Sequence, residues 1–217
     1  MLKDNIERVK QRIAAACAKV GAEPDKIIII CVTKSRAVEQ ILEAVNLGYK
    51  NIGENRVQEA LEKYKQISGA KWHMIGHLQS NKVKEAVKIF DLIHSVDSLN
   101  LAKEINKQAI KINKIQDIFL EVKTSTEVTK FGFDPDEVGN VSDEINRLSN
   151  IKVKGLMTIA PLVDNMQEAR PYFSKLRQLR DKLNPDWFLS MGMSDDFEVA
   201  IEEGANIIRL GRAIFNV

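Results

Sequence analysis

Short apolar segments alternate with longer amphipathic ones along almost the whole chain, and this alternation limits the fold more than any other feature. Apolar runs suited to strands fall at 27–33, 50–53, 72–76, 92–95, 118–123, 152–157, 187–189 and 207–210. Between them lie stretches with apolar residues at three- and four-residue spacing, as in Ile41, Leu42 and Val45. These occupy 38–47, 56–68, 81–90, 99–112, 135–148, 166–183 and 197–203, with a short one starting near Arg212. Eight strands, each followed by a helix, predict an α/β fold: a (β/α)8 TIM barrel with an extra N-terminal helix at about 2–20. A doubly wound sheet is the competing architecture, but it has fewer strands and a glycine-rich turn after the first. Here Val32-Thr33-Lys34-Ser35-Arg36 takes that place. A length of 217 residues suits one domain spanning 1–217, near the lower end for a barrel, with little left for lids.

Several function classes are disfavoured. The net charge is +2, and short basic clusters such as Lys63 to Lys65 are diluted by neighbouring acids, which leaves no footprint for nucleic acid. The N-terminal stretch is charged throughout and lacks the apolar core of a signal peptide. No apolar run approaches the roughly 18 residues of a membrane span, so a soluble, cytoplasmic protein is expected. Cys17 and Cys31 have neither metal-ligand spacing nor the pattern of a disulfide scaffold. Short loops and the lack of an exposed apolar helix face point to a monomer.

In such a barrel the C-terminal strand ends and the loops after them build the site. The first strand ends in Lys34, where a low-dielectric wall would favour the neutral, nucleophilic amine. Such an amine forms a Schiff base with an aldehyde such as pyridoxal phosphate. Other strand ends offer Asn55, His77, Asp97, Ser98, Met157 and Thr158. Asn55 and Ser98 also read as helix caps, and His73 and His94 fall in strand interiors as structural hydrogen bonders. Ser190-Met191-Gly192-Met193-Ser194 and Leu210-Gly211-Arg212 each precede a helix, the arrangement of a phosphate cradle, with ordinary capped helices as the alternative. Asp195 and Asp196 would repel phosphate unless they point outward. Pyridoxal phosphate carries its aldehyde and phosphate on opposite sides of one ring, which matches an amine on strand one and a cradle on strands seven and eight. Arg209 then falls near the ring nitrogen. It can only donate, so the ring would be a weak electron sink.

VTKSR (32–36), NIGENRVQE (51–59), WHMIGHLQSNK (72–82), HSVDS (94–98), KFG (130–132), GLMTIAP (155–161) and LSMGMSDDFEVAIEEGANIIRLGRAIF (189–215) together resemble the pyridoxal phosphate homeostasis protein family. The resemblance implies a single-domain fold type III barrel, similar to the N-terminal domain of alanine racemase. It implies that Lys34 carries pyridoxal 5'-phosphate as an internal aldimine. It also implies that Ser194, Gly211 and Arg212 hold the phosphate, that Arg209 faces the pyridine nitrogen, and that Asn55, His77 and Met157 line the ring. Members of the family are described as binding and supplying the cofactor and affecting amino-acid and keto-acid balance, without an established catalytic activity. This chain departs from the family in having Ala37 where proline is common and Arg56 where an aromatic is common.

Three readings follow. A carrier would buffer the aldehyde and pass it to recipients, namely apo forms of pyridoxal phosphate enzymes, and needs no catalytic residue or metal. An amino-acid racemase needs an acid or base on each face of the ring. Tyr49, Tyr64 and Tyr172 lie away from the strand ends, which leaves His77 opposite Lys34. A Schiff-base aldolase would use the same lysine and cradle for a sugar phosphate, without a coloured cofactor.

Overall fold

The computed structural model describes residues 1–125 and 131–215, so Lys130 of the KFG segment lies outside the described residues. Eight parallel strands close a barrel in sequence order: β1 Ile28–Val32, β2 Asn51–Glu54, β3 Lys71–Met74, β4 Leu92–Val96, β5 Gln116–Glu121, β6 Ile151–Met157, β7 Phe188–Ser190 and β8 Ile207–Leu210. Closure runs from Ile28↔Ile207 to Cys31↔Leu210, so β1 and β8 end side by side at one mouth. The expected (β/α)8 architecture is the observed one.

The helices are α1 Leu2–Val20, α2 Val38–Asn46, α3 Val57–Tyr64, α4 Val83–Ile89, α5 Leu99–Lys111, α6 Val138–Ile145, α7 Arg170–Leu183, α8 Phe197–Glu202 and α9 Arg212–Phe215. Several are shorter than their apolar spacing suggests. The segment at 166–183 divides into a 3₁₀ turn, Met166–Ala169, and α7, because Pro171 in the first turn of α7 has no N–H to continue a ladder from the residues before it.

Two apolar shells hold the barrel. The outer shell lies between strands and helices and includes Cys31, Ile52, Ile93, Ile118, Leu156 and Leu189. The inner shell is small: Ile30, Ile75, Phe119, Met157 and Ile207, all buried. Two β-bulges flank Phe119. The register of β4 against β5 slips after Ile93, and that of β5 against β6 slips between Ile118 and Phe119. An extra residue on each neighbour changes which side chains point inward.

α1 closes the outside of the β7–β8 region. Leu2, Ile6, Val9, Ile13, Ala16 and Cys17 form its buried stripe, and it packs on α8 and α9. Asn5 Nδ2 donates to Ile214 O at 3.0 Å, and Arg12 pairs with Glu198 at 2.6 Å. The extra helix therefore braces the two short helices that follow the strand-seven and strand-eight loops. Among the described residues, no helix is long and apolar enough to cross a membrane.

Candidate functional site

Lys34 stands in the turn just after β1, and its side chain is exposed, with no hydrogen bond or ion pair among the described residues. The low-dielectric wall expected from the sequence does not surround it, because the apolar run stops at Val32 and only Thr33 beyond it is buried. The turn itself is firmly held. Ser35 adopts a left-handed backbone, φ 58°, a conformation that costs a non-glycine residue roughly 1–2 kcal/mol. Its N–H donates to Glu59 Oε1 at 2.6 Å. Lys63, grouped with a surface cluster in the sequence, is buried on α3. Its Nζ donates to Thr33 O at 2.6 Å, Glu54 Oε1 at 2.7 Å and Glu59 Oε1 at 2.6 Å. Thr33 Oγ1 donates to Glu54 Oε1 at 2.6 Å. Burial pushes the Glu54 carboxyl up, against the pull of Lys63 and Thr33. One buried cation thus fixes both neighbours of Lys34.

At the ends of β7 and β8, Gly192 has φ 91° and a Cβ there would meet Ala200 Cβ at 2.5 Å, so only glycine lets this loop lie on α8. Ser194 Oγ accepts from Ala213 N at 3.2 Å and joins the two loops. The backbone N–H groups of Ser194 and Asp195 have no acceptor among the described residues. One expectation needs correction. Asp196 does not point outward: it is buried and its Oδ1 accepts from Met193 N at 2.6 Å, with its carboxyl pushed up by burial. The exposed Asp195 carboxylate pairs with Arg212. α8 and α9 have only six and four residues, so their dipoles are small and the cradle depends on individual donors.

Arg209 lies buried inside the barrel. Its Nη1 donates to Ser190 O and Oγ, both at 2.7 Å, and Nη2 to Thr158 O at 2.8 Å. Met157 belongs to the inner apolar shell. Asn55 does not cap α3, and its Oδ1 is buried without a partner. Ser98 does cap α5, accepting from Leu101 N at 3.3 Å. His77 is exposed, with Nδ1 3.0 Å from Asp97 Oδ2 and its ring stacked on Phe131 at 3.8 Å.

A family model described as alanine racemase, N-terminal domain, matches residues 2–217. A relative from Aquifex aeolicus named pyridoxal phosphate homeostasis protein is 45% identical over 219 residues, covering 98% of this chain and 96% of its own. The chain belongs to the pyridoxal phosphate homeostasis protein family. PipY of Synechococcus elongatus, solved with pyridoxal phosphate bound, is 34% identical with a TM-score of 0.81, covering 96% of this chain and all of PipY. An alanine racemase from Clostridium difficile shares the fold alone, at 17% identity and TM-score 0.77, over 99% of this chain and 56% of the racemase.

Sequence reading missed one titratable group in this family member. Glu121 ends β5 and is buried; burial, with Asp97 nearby, pushes its carboxyl up to about 7, and Arg209 opposes the shift. The signal was an acid at the end of an apolar strand, the same kind of position as Lys34.

His73 and His94 are structural, as their strand-interior positions suggest, and they form part of a longer chain of hydrogen bonds. His94 Nδ1 is 2.9 Å from Ser190 Oγ, His94 Nε2 is 3.0 Å from His73 Nδ1, and His73 Nε2 is 3.1 Å from Asn51 Oδ1. Arg209 only donates, so Ser190 Oγ accepts from it and passes its own proton toward His94 Nδ1. Each imidazole must then be neutral and protonated at Nε2, and every bond runs from Arg209 toward Asn51. Burial holds both rings neutral: His73 is lowered to about 4, and His94 lies well below its ordinary value.

This sets a pH dependence. Between about 6.5 and about 4 the unfolded chain takes up a proton that folded His73 refuses, so stability falls as pH drops through that window. Glu121 acts oppositely, since its raised carboxyl protonates earlier when folded. A His73→Gln variant isolates the histidine. Wild type is expected to lose about 3 kcal/mol relative to that variant across the window, read from urea unfolding at fixed ionic strength. A pH-independent difference between the two proteins would refute the assignment.

Proposed function

We propose that this chain binds pyridoxal 5'-phosphate covalently through Lys34, holds it in reserve and releases it to recipient enzymes, without turning over a substrate of its own. The observation that carries the reading is the position of an unpartnered amine at the end of β1, beside the end of β8 with Gly211 and Arg212. The names of the relatives and the cofactor bound in PipY support it. The reading takes residues 1–217 as one cytoplasmic, monomeric barrel domain.

The residues fit the group. A Cβ on Gly211 would meet nothing nearer than 3.5 Å, so the protein's own packing does not require glycine there, and a ligand filling that space would. Ser194 accepts from Ala213 through Oγ and keeps its hydroxyl proton to donate, beside the two free N–H groups. Asn55 Oδ1 awaits a donor. Arg212 would exchange Asp195 for a phosphate, and Arg209, which remains protonated even though burial lowers it to about 10, would donate toward the ring nitrogen. Met157 and His77 would border the ring. When bound, the cofactor supplies an aldehyde that condenses with amines and a ring that withdraws electrons. An arginine facing its nitrogen keeps that nitrogen unprotonated, which damps the withdrawal and favours storage over turnover.

The His77–Asp97 pair supports a second reading, racemisation of an amino acid, because a carboxylate orienting an imidazole is a general acid–base device. The test is reconstitution with pyridoxal phosphate, borohydride reduction and mass analysis of the peptide carrying Lys34. A yellow protein with the added mass on Lys34, and transfer to an apo-enzyme, is the expected result. Single enantiomers that change chirality with loaded wild type, and keep it with the Lys34→Ala variant, would move the assignment to the racemase.

A further inference from the structure

At the opposite mouth of the barrel, the first residues of the strands surround a cavity of about 480 Å³. Ile28, Leu92, Phe119, Phe188 and Ile207 give it an apolar lining, and Lys71, Lys154, Lys114, Asp91 and Asp117 stand around it. We propose that this N-terminal mouth is a second ligand site, which takes a small organic anion, a carboxylate or phosphate monoester with an apolar body. The proposal does not rest on the cofactor reading, which concerns the other mouth.

Three observations carry it. A mouth serving stability alone would be plugged by branched apolar side chains. Here β2, β5 and β6 instead contribute Asn51, Asp117 and Lys154. The volume falls within the range of small-molecule sites, which combine apolar walls with a few convergent polar groups.

Second, one of the cations stands inside the barrel mouth next to a bulge. Ile118 pairs with Val153, but Phe119 pairs with Gly155, so Lys154 is the extra residue of β6. Val153 before it and Leu156 after it both face the outer shell, which regular alternation would forbid. Lys154, next to the outward-facing Val153, therefore stands on the cavity wall, and the bulge turns Leu156 back to the outer shell.

Third, the charges are unevenly committed. Lys114 Nζ is spent on Val87 O at 2.8 Å and Phe90 O at 2.6 Å, and Asp91 accepts from Trp72 N at 2.7 Å. Among the described residues Lys71, Lys154 and the Asp117 carboxylate have no side-chain hydrogen bond or ion pair, and Asp117 has the Lys114 charge nearby. Three lysines stand against two aspartates around the cavity, and Lys71 and Lys154 keep their ammonium protons to donate, which favours an anion. His73, which also lines the cavity, adds no charge, being neutral and bonded to Asn51 and His94.

The probe is phenyl phosphate, with benzyl alcohol as its uncharged counterpart, titrated by calorimetry into the full chain. Saturable binding of phenyl phosphate, at least tenfold weaker with benzyl alcohol and in a Lys71→Gln/Lys154→Gln variant, is the expected result. In parallel, methyl NMR signals of Ile28, Leu92 and Ile207 in wild type should shift during the titration, a readout that holds even if the variant folds poorly. No binding by wild type would overturn the proposal. So would binding that survives the double substitution but is lost in Arg212→Ala, which would put the anion at the cofactor mouth. Failure of pyridoxal phosphate to load would leave all these outcomes readable.

Discussion

Lys34→Ala is expected to abolish the visible absorbance of protein reconstituted with pyridoxal phosphate and to weaken retention of the cofactor by at least about a hundredfold, roughly 2.8 kcal/mol. The reason is that, among the described residues, the lysine buried beside the same turn cannot take over. Lys63 is the buried lysine beside the same turn, but its three bonds, to Thr33 O, Glu54 and Glu59, use all three ammonium protons. A nitrogen so committed is a cation with no lone pair to attack a carbonyl. Residual binding should be that of the phosphate cradle alone, fast to dissociate and insensitive to borohydride. Gel filtration of loaded wild type and variant, followed by absorbance and intact mass, measures both. If the variant stays yellow and keeps the cofactor mass after reduction, Lys34 is not the attachment point and the proposed function loses its foundation.

The barrel was legible because strand and helix periods alternate without interruption, and because each apolar strand candidate corresponds to an observed strand within a few residues. The strand ends were legible for the same reason: once the fold is a barrel, Lys34, Asn55, His77, Ser194 and Gly211 must share one mouth. What the sequence hid was pairing. Lys63 looks like part of a surface cluster because nothing in a helix marks which lysine turns inward. Its role depends on Glu54, nine positions earlier on a strand. Arg212 and Asp195 pair across two loops whose separation is set only by closure of β8 on β1. Burial of Asp196 follows from the glycine at 192, which lets the loop fold down on α8. The exposure of Lys34 shows the limit of a strand-end rule: two residues past the apolar run the chain is already outside the wall.

The largest stability effect should come from Lys63→Met. Lys63 is 7% exposed and Glu54 is fully buried, so removing the cation strands a carboxylate that already lacks a partner at Oε2. Breaking a buried pair on one side costs about 3–5 kcal/mol, and here the loss also frees Thr33 O and Glu59. Glu54 would respond by taking up a proton, since burial already raises its carboxyl, so the cost should shrink as pH falls toward the ordinary carboxylate range. A Lys63→Met/Glu54→Gln double variant should recover part of the stability, because the fully buried carboxylate is then removed together with its cation, leaving only the partly exposed Glu59 without an ion pair. The chain sequence, local strain and function meet at this point. Ser35 keeps its left-handed backbone only while Glu59 holds its N–H, and Glu59 is oriented by Lys63. Loosening the turn should therefore speed cofactor loss in Lys63→Met even where enough protein remains folded to load it. Urea unfolding together with the release rate tests the claim. A cost below about 1 kcal/mol would mean that the buried cation is not what fixes the Lys34 turn.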